Sequence, residues 1–152
     1  MAADAILAGG GERGTTLVTP ELEALARHRL ARAREALAEG EQLLRSDASM
    51  GAVNRLYYAA FHAARSLLAL RQVDSARHSG VITLFQTHFV KTGLLPSDVA
   101  RALPRSFEKR QNADYADFSR VTLEEAATVA GEVRTFVEEC SRLLDRLLLG
   151  ER

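Results

Sequence analysis

Asn54-Arg55-Leu56-Tyr57-Tyr58-Ala59-Ala60-Phe61-His62-Ala63-Ala64-Arg65 is the stretch whose reading decides the fold. Wound at roughly 100° per residue, Val53, Tyr57, Ala60, Phe61, Ala64, Leu67 and Leu68 fall on one continuous arc, which is a helical core face. Beside that arc Asn54, Tyr58, His62 and Arg65 line up at i, i+4, i+8 and i+11. A solvated helix face favours Glu and Lys. This stripe is an amide, a phenol, an imidazole and a guanidinium, groups that bind anions and nucleotides or move protons. The alternative is that the four are amphipathic residues at a helix edge, hydrogen-bonded to a neighbour. A second polar group, Arg110-Gln111-Asn112-Ala113-Asp114-Tyr115, lies downstream, and the two make a site if their helices face each other.

The same periodicity extends outward in both directions. Thr19 is a candidate N-cap, followed by Pro20 at the first helical position and Glu21 and Glu23 in the first turn. Leu22, Leu25, Ala26, Leu30, Ala33, Leu37, Leu43 and Leu44 carry that helix to about Arg45, with Gly40 tolerated inside it. Ser46-Asp47-Ala48-Ser49 makes a turn, and the quoted helix then runs to about Arg71. A third helix is expected over Ala76–Lys91, stopped by Gly93 with Pro96 beyond it. A fourth is expected over Ser97–Phe118, broken or kinked at Pro104. Thr122-Leu123-Glu124-Glu125 matches a capping box and opens the last helix, which continues to Gly150. No segment alternates like a strand, so the fold class is all-α: an antiparallel up-and-down bundle of four to five helices. Residues 1–18 read as a glycine-rich tail and residues 19–150 as the bundle domain. Gly9-Gly10-Gly11 has neither a preceding strand nor a following Lys-Ser/Thr, so it is not read as a phosphate loop.

Composition narrows the class further. The 152 residues are 47% hydrophobic and 26% charged, which suits one soluble domain. Lys plus Arg and Asp plus Glu are 20 each, so net charge does not announce a nucleic-acid binder and leaves only local patches. The single cysteine, Cys140, excludes an internal disulfide and lies in the periodic face of the last helix, where packing is its expected role. No stretch approaches the roughly 18 apolar residues of a membrane span, and Met1-Ala2-Ala3-Asp4 lacks a basic signal region. A cytoplasmic protein with no membrane partner is the expectation.

Arg101, Arg105 and Lys109 repeat every four residues with Arg110 adjacent, a ladder on which phosphate can lie. It is equally read as a solvated face, partly offset by Asp98 and Glu108. Arg27, Arg29, Arg32 and Arg34 point several ways and read as solvated surface. His78 and His88 read as surface or capping histidines rather than ligands. No grouping has metal-ligand spacing, no nucleophile elbow accompanies a histidine, and no cofactor is expected.

The string Asn54–Arg65 resembles the second-helix signature of HEPN domains (higher eukaryotes and prokaryotes nucleotide-binding). The resemblance continues through His78-Ser79-Gly80-Val81-Ile82-Thr83-Leu84-Phe85, Phe89-Val90-Lys91-Thr92-Gly93 and Arg110–Tyr115 to Phe136-Val137 in the capped last helix, covering roughly residues 20–147. It implies a bundle that forms a homodimer and works beside a small nucleotidyltransferase in a two-gene toxin–antitoxin module. Catalytic relatives cleave RNA without metal, using an Arg followed after four to six residues by His. Arg110 matches the arginine, but Tyr115, Ala116 and Asp117 occupy the positions for histidine. Arg71 and His78 satisfy the spacing outside the expected place, which is read as accidental. Metal-free cleavage needs a group that exchanges a proton near neutrality, and Tyr115 at its ordinary pKa is a poor one.

Three functions follow. The first is a nucleotide- or RNA-phosphate-binding subunit, in which Arg65 and Arg110 hold phosphate and Tyr58, His62 and Tyr115 stack on or bond the base or sugar, with Asn54 and Asp114 completing the site and Arg101, Arg105 and Lys109 as secondary phosphate contacts. The second is a metal-independent ribonuclease toxin in which His62, with Arg110 and either Asp114 or Tyr115, replaces the usual pair. The third is a non-catalytic helical adaptor.

Overall fold

A computed structural model describes residues 17–115 and 120–151 of the chain, the side chains of Asp114 and Tyr115 excepted. Most of the expected N-terminal tail, residues 1–16, lies outside the described residues. The helices are α1 (Pro20–Arg45), α2 (Ser49–Arg71), α3 (His78–Phe85) running on as a π-helical turn (Gln86–Val90), α4 (Ser97–Ala100), α5 (Ala102–Tyr115) and α6 (Leu123–Leu148). No strand occurs among the described residues. None of the described helices is long and apolar enough to cross a membrane.

Side-chain chemistry at the ends sets the boundaries. Thr19 Oγ1 accepts from the Leu22 N–H at 3.1 Å, and Pro20 follows as the first helical residue, where its missing N–H costs nothing. Thr122 and Glu125 form the reciprocal capping box at α6, with bonds of 3.0 and 2.9 Å. Gly93 adopts φ 81°, the left-handed conformation expected of the stop after the third helix.

The third helix begins at His78 rather than Ala76, and its last turn widens to the π form. The fourth breaks at Arg101, three residues before Pro104, and not at the proline itself. Pro104 has no N–H to offer the Ala100 carbonyl, so the ladder is interrupted one turn upstream. A new helix starts with Pro104 in its first turn, and regular bonding resumes with Arg105 N–H on the Arg101 carbonyl at 3.0 Å.

α2 is the hub. Thirteen of its 23 residues are buried, and it packs on α1, α3, α5 and α6. Cross-helix pairs give the directions. Arg55 meets Glu39 and Arg29 reaches the Arg65 carbonyl, so α1 and α2 are antiparallel. Arg134 pairs with Glu41 and Arg34 with Ser141, so α6 runs antiparallel to α1. Arg105 with Glu132 and Lys109 with Glu125 make α5 antiparallel to α6. α1 faces α2 with Ala26, Leu30, Ala33, Ala36 and Gly40, a seam of mostly small residues that lets the two axes approach closely. Tyr57, Phe85, Phe89, Phe136 and Leu144 fill the core, and Cys140 is fully buried within it. Phe61, placed by its period on the core arc, is partly buried at the margin of the core and packed against it, and α2 buries its opposite side (Leu56, Ala59, Ala63, Ser66, Leu70) as well. The core wraps most of α2 and leaves only a strip containing Asn54, Arg55, Tyr58, Phe61, His62 and Arg65.

Candidate functional site

The antiparallel packing of α5 on α2 brings the two polar groups together. Phe107 lies against Tyr57 with ring centroids 5.4 Å apart. One turn further along α5, the Arg110 guanidinium carbon stands 5.3 Å from the Tyr58 ring centroid and 5.5 Å from that of Tyr57. A guanidinium over an aromatic face is a favourable cation–π arrangement. Arg55 approaches Tyr58 as well, at 5.6 Å, while bonding Glu39 at 3.0 Å. Tyr58 is thus shared by cations from two helices. Asn54 is half-buried one turn before it. The side chains of Asp114 and Tyr115 lie outside the described residues, as do the neighbouring positions 116 and 117.

The expected surface histidine His78 is part of this site. The buried Tyr57 hydroxyl bonds its Nδ1 at 2.5 Å, and the imidazole stacks on Phe61 at 4.7 Å and on Phe107 at 6.1 Å. Burial holds the Tyr57 phenol well above its ordinary pKa, with the Tyr58 phenol adding to the effect and Arg110 opposing it. Burial and then the Arg110 charge lower the pKa of His78. Arg71, its spacing mate in sequence, lies elsewhere, over the Phe89 ring at 5.1 Å. The Tyr57–His78 pair left no local signal, because its members stand 21 positions apart and Tyr57 reads as an ordinary core residue.

The other end of the stripe is a cationic nest around His62. Arg65 bonds Asp74 through two nitrogens, at 2.6 and 3.3 Å, and lies 5.7 Å from the Phe61 ring. Arg29 reaches across from α1 to the Arg65 carbonyl at 3.1 Å and to Asp74 at 3.7 Å. Burial and then the charges of Arg32, Arg65, Arg55 and Arg29 push the His62 pKa down to about 4. The imidazole is therefore neutral near pH 7. Two of the cations that do this, Arg29 and Arg32, belong to the α1 cluster read as solvated surface. Arg27 and Arg34 turn instead towards Glu23 and Ser141.

His62 carries a direct prediction. Its ring resonances should titrate near pH 4 rather than near 6.5, and Arg65→Ala should move the midpoint upward. A folded pKa below the unfolded one means the unfolded chain binds the extra proton first. The stabilising contribution is therefore full above pH 6.5 and is lost as pH falls through about 4. Proton NMR of the histidine ring against pH checks this; a midpoint at the ordinary value would remove the cationic nest as a physical influence.

The α5 ladder is largely committed to α6. Arg105 bonds Glu132 at 2.8 Å and Lys109 bonds Glu125 at 3.2 Å, while Arg101 is exposed. The offset expected from Asp98 and Glu108 comes instead from these two α6 carboxylates, which only the packing of α5 on α6 brings into range. Among the described residues no three His, Cys, Asp or Glu side chains gather as a metal site requires.

The described chain is thus a helical bundle with an arginine held over paired tyrosines and an imidazole tied to one of them. The HEPN domain family model matches residues 26–143, and the chain belongs to that family. A UPF0332 protein of Thermotoga maritima is 32% identical over 116 residues, 76% of this chain and 88% of the relative. A Methanocaldococcus jannaschii protein named as a candidate toxin is 33% identical over 116 residues, covering 76% of this chain and 86% of its own. A second protein of that organism, also named as a candidate toxin, is 29% identical over 133 residues, 86% and 88% of the two chains.

Proposed function

We propose that this chain is the HEPN subunit of a toxin–antitoxin-type module, binding a nucleotide or the phosphates of single-stranded RNA. Residues 19–150 are the binding domain and 1–18 a tail. The subunit works in the cytoplasm as a homodimer with a small nucleotidyltransferase partner. The observation that carries the reading is the Arg110 guanidinium held against Tyr58 by the packing of α5 on α2. In this reading Arg110 clamps phosphate, Tyr58 offers a stacking face, and Arg55, Arg65 and Asn54 border the path of the strand. His62, neutral at pH 7, serves as a flat polar surface. The names of the M. jannaschii relatives support a toxin-like role.

Metal-free ribonuclease activity is the second reading, compatible with the toxin-like role in the relatives' names. His62 is a poor base for it, since a group with a pKa of about 4 takes a proton weakly at neutrality. Fluorescence anisotropy with a labelled single-stranded RNA at low and moderate salt tests binding, and the same mixtures with chelator, run on a denaturing gel, test cleavage. Binding that weakens with salt and leaves the RNA intact is expected. No binding of RNA or AMP at low salt would refute the reading; intact binding with robust cleavage would replace it by the second.

A further inference from the structure

We infer that His78 is a phosphate-contacting residue of the Arg110 cleft, donating its Nε2–H to a phosphate oxygen of the bound strand, with Tyr57 as the positioning residue that sets its tautomer. The inference rests on the reading proposed above and extends it to a residue from a different helix.

The argument begins with the Tyr57 hydroxyl. Its side chain is fully buried, so an unsatisfied phenol proton there would be costly. The described residues offer it one partner, His78 Nδ1 at 2.5 Å. The proton of that bond belongs to the phenol, because an Nδ1–H donor would leave the hydroxyl hydrogen with nowhere to go. Nδ1 is then the acceptor, and the neutral ring carries its own proton on Nε2. No described residue bonds Nε2, and the ring is only partly buried. Phe61 at 18° and Phe107 at 15° fix the plane of the imidazole. His78 and Arg110 share their neighbours: the imidazole lies 5.5 and 5.9 Å from the Tyr57 and Tyr58 rings, and Arg110 approaches the same two.

The surrounding loop is built to place this ring. Ser75 Oγ accepts from the Arg77 N–H at 3.2 Å, folding the α2–α3 connection onto the start of α3. A Cβ at Gly80 would stand 2.0 Å from that hydroxyl, so the tight approach requires glycine. In the inferred complex the guanidinium supplies charge to the phosphate and the imidazole N–H supplies direction.

Amide substitutions separate this role from a structural one. In His78→Asn the side-chain oxygen reaches the Nδ1 position and keeps the Tyr57 bond, but nothing reaches Nε2. In His78→Gln an amide N–H reaches the Nε2 position. RNA affinity should fall about tenfold in His78→Asn and stay near wild type in His78→Gln. The salt slope of binding should not change in His78→Asn, because a neutral donor releases no counterion. In Arg110→Ala both affinity and slope should fall. Nitrogen-15 NMR of the wild-type ring should show a protonated Nε2 and a bare Nδ1, with the Nε2 resonance moving when RNA is added. If His78→Asn does not fold, the His78→Gln affinity and this wild-type resonance carry the test. Wild-type affinity in His78→Asn beside a weakened Arg110→Ala overturns the inference and leaves the phosphate reading standing, as does an Nε2 resonance unmoved by bound RNA. Wild-type protein that binds no RNA overturns the reading and the inference together.

Discussion

Arg110→Ala is expected to weaken single-stranded RNA binding by ~1.5–3 kcal/mol, tenfold or more, the range for a charge-assisted hydrogen bond. The guanidinium is half-buried and held over Tyr58 and Tyr57 at 5.3 and 5.5 Å. A planar fork fixed in that way loses less side-chain entropy on gripping phosphate than a free surface arginine. Removing it deletes one phosphate contact, so the logarithmic salt slope should fall by about 0.7 for a single strand. Arg105→Ala is the control. That guanidinium already bonds the Glu132 carboxylate, a partner it would have to exchange for phosphate, so RNA affinity should barely change. Anisotropy titrations at several salt concentrations, with thermal unfolding to confirm folding, make the comparison. Equal losses in the two variants would return the binding to diffuse charge and remove Arg110 as the phosphate clamp.

The largest effect on stability is expected at Gly40. Helix propensity alone favours alanine there by about 1 kcal/mol, since glycine inside a helix loses more backbone freedom on folding. The packing says the opposite. A Cβ on Gly40 would stand 2.8 and 2.9 Å from the Leu56 Cγ and Cδ2 atoms, and 3.2 Å from the Leu56 backbone nitrogen. Leu56 is fully buried and the backbone atom belongs to α2, so neither yields without parting α1 from α2. Overpacking of that kind costs about 1–3 kcal/mol, and Gly40→Val should sit at the upper end or beyond. Gly131 in α6 is the internal comparison: nothing lies within 4 Å of its missing Cβ, so Gly131→Ala should stabilise by up to ~1 kcal/mol. Urea unfolding of the two variants reads both signs. A stabilised Gly40→Val would mean that α1 and α2 are not in close contact at this point.

The same helices show how far local pattern reaches. Periodicity over Leu22–Leu44 and Val53–Leu68 located the two long helices, because a helix that buries one face must repeat its apolar residues at three and four. Caps are equally local: the bonds of Thr19 and of the Thr122–Glu125 box span three residues, so their signatures are contiguous. Pro104 was visible as a breaker, yet its consequence fell upstream, at Arg101, just past the Ala100 carbonyl to which Pro104 offers no donor. Of the stripe, the place of Tyr58 beside the core face was legible through its period, and its meeting with Arg110 was legible only as a condition.

By itself the sequence determined an all-α bundle, the positions of its long helices and caps, and a polar stripe on α2 whose chemistry suits anions and aromatic rings. All of these follow from interactions between residues a few positions apart. Tertiary structure alone decided which groups meet. It set Arg110 against Tyr58 across 52 positions, tied Tyr57 to His78, gave Arg105 and Lys109 their α6 carboxylates, and pressed Gly40 of α1 against Leu56 of α2. The reason is physical: these contacts depend on the direction and spacing of packed helices, and the energy that sets those comes from burying whole faces at once.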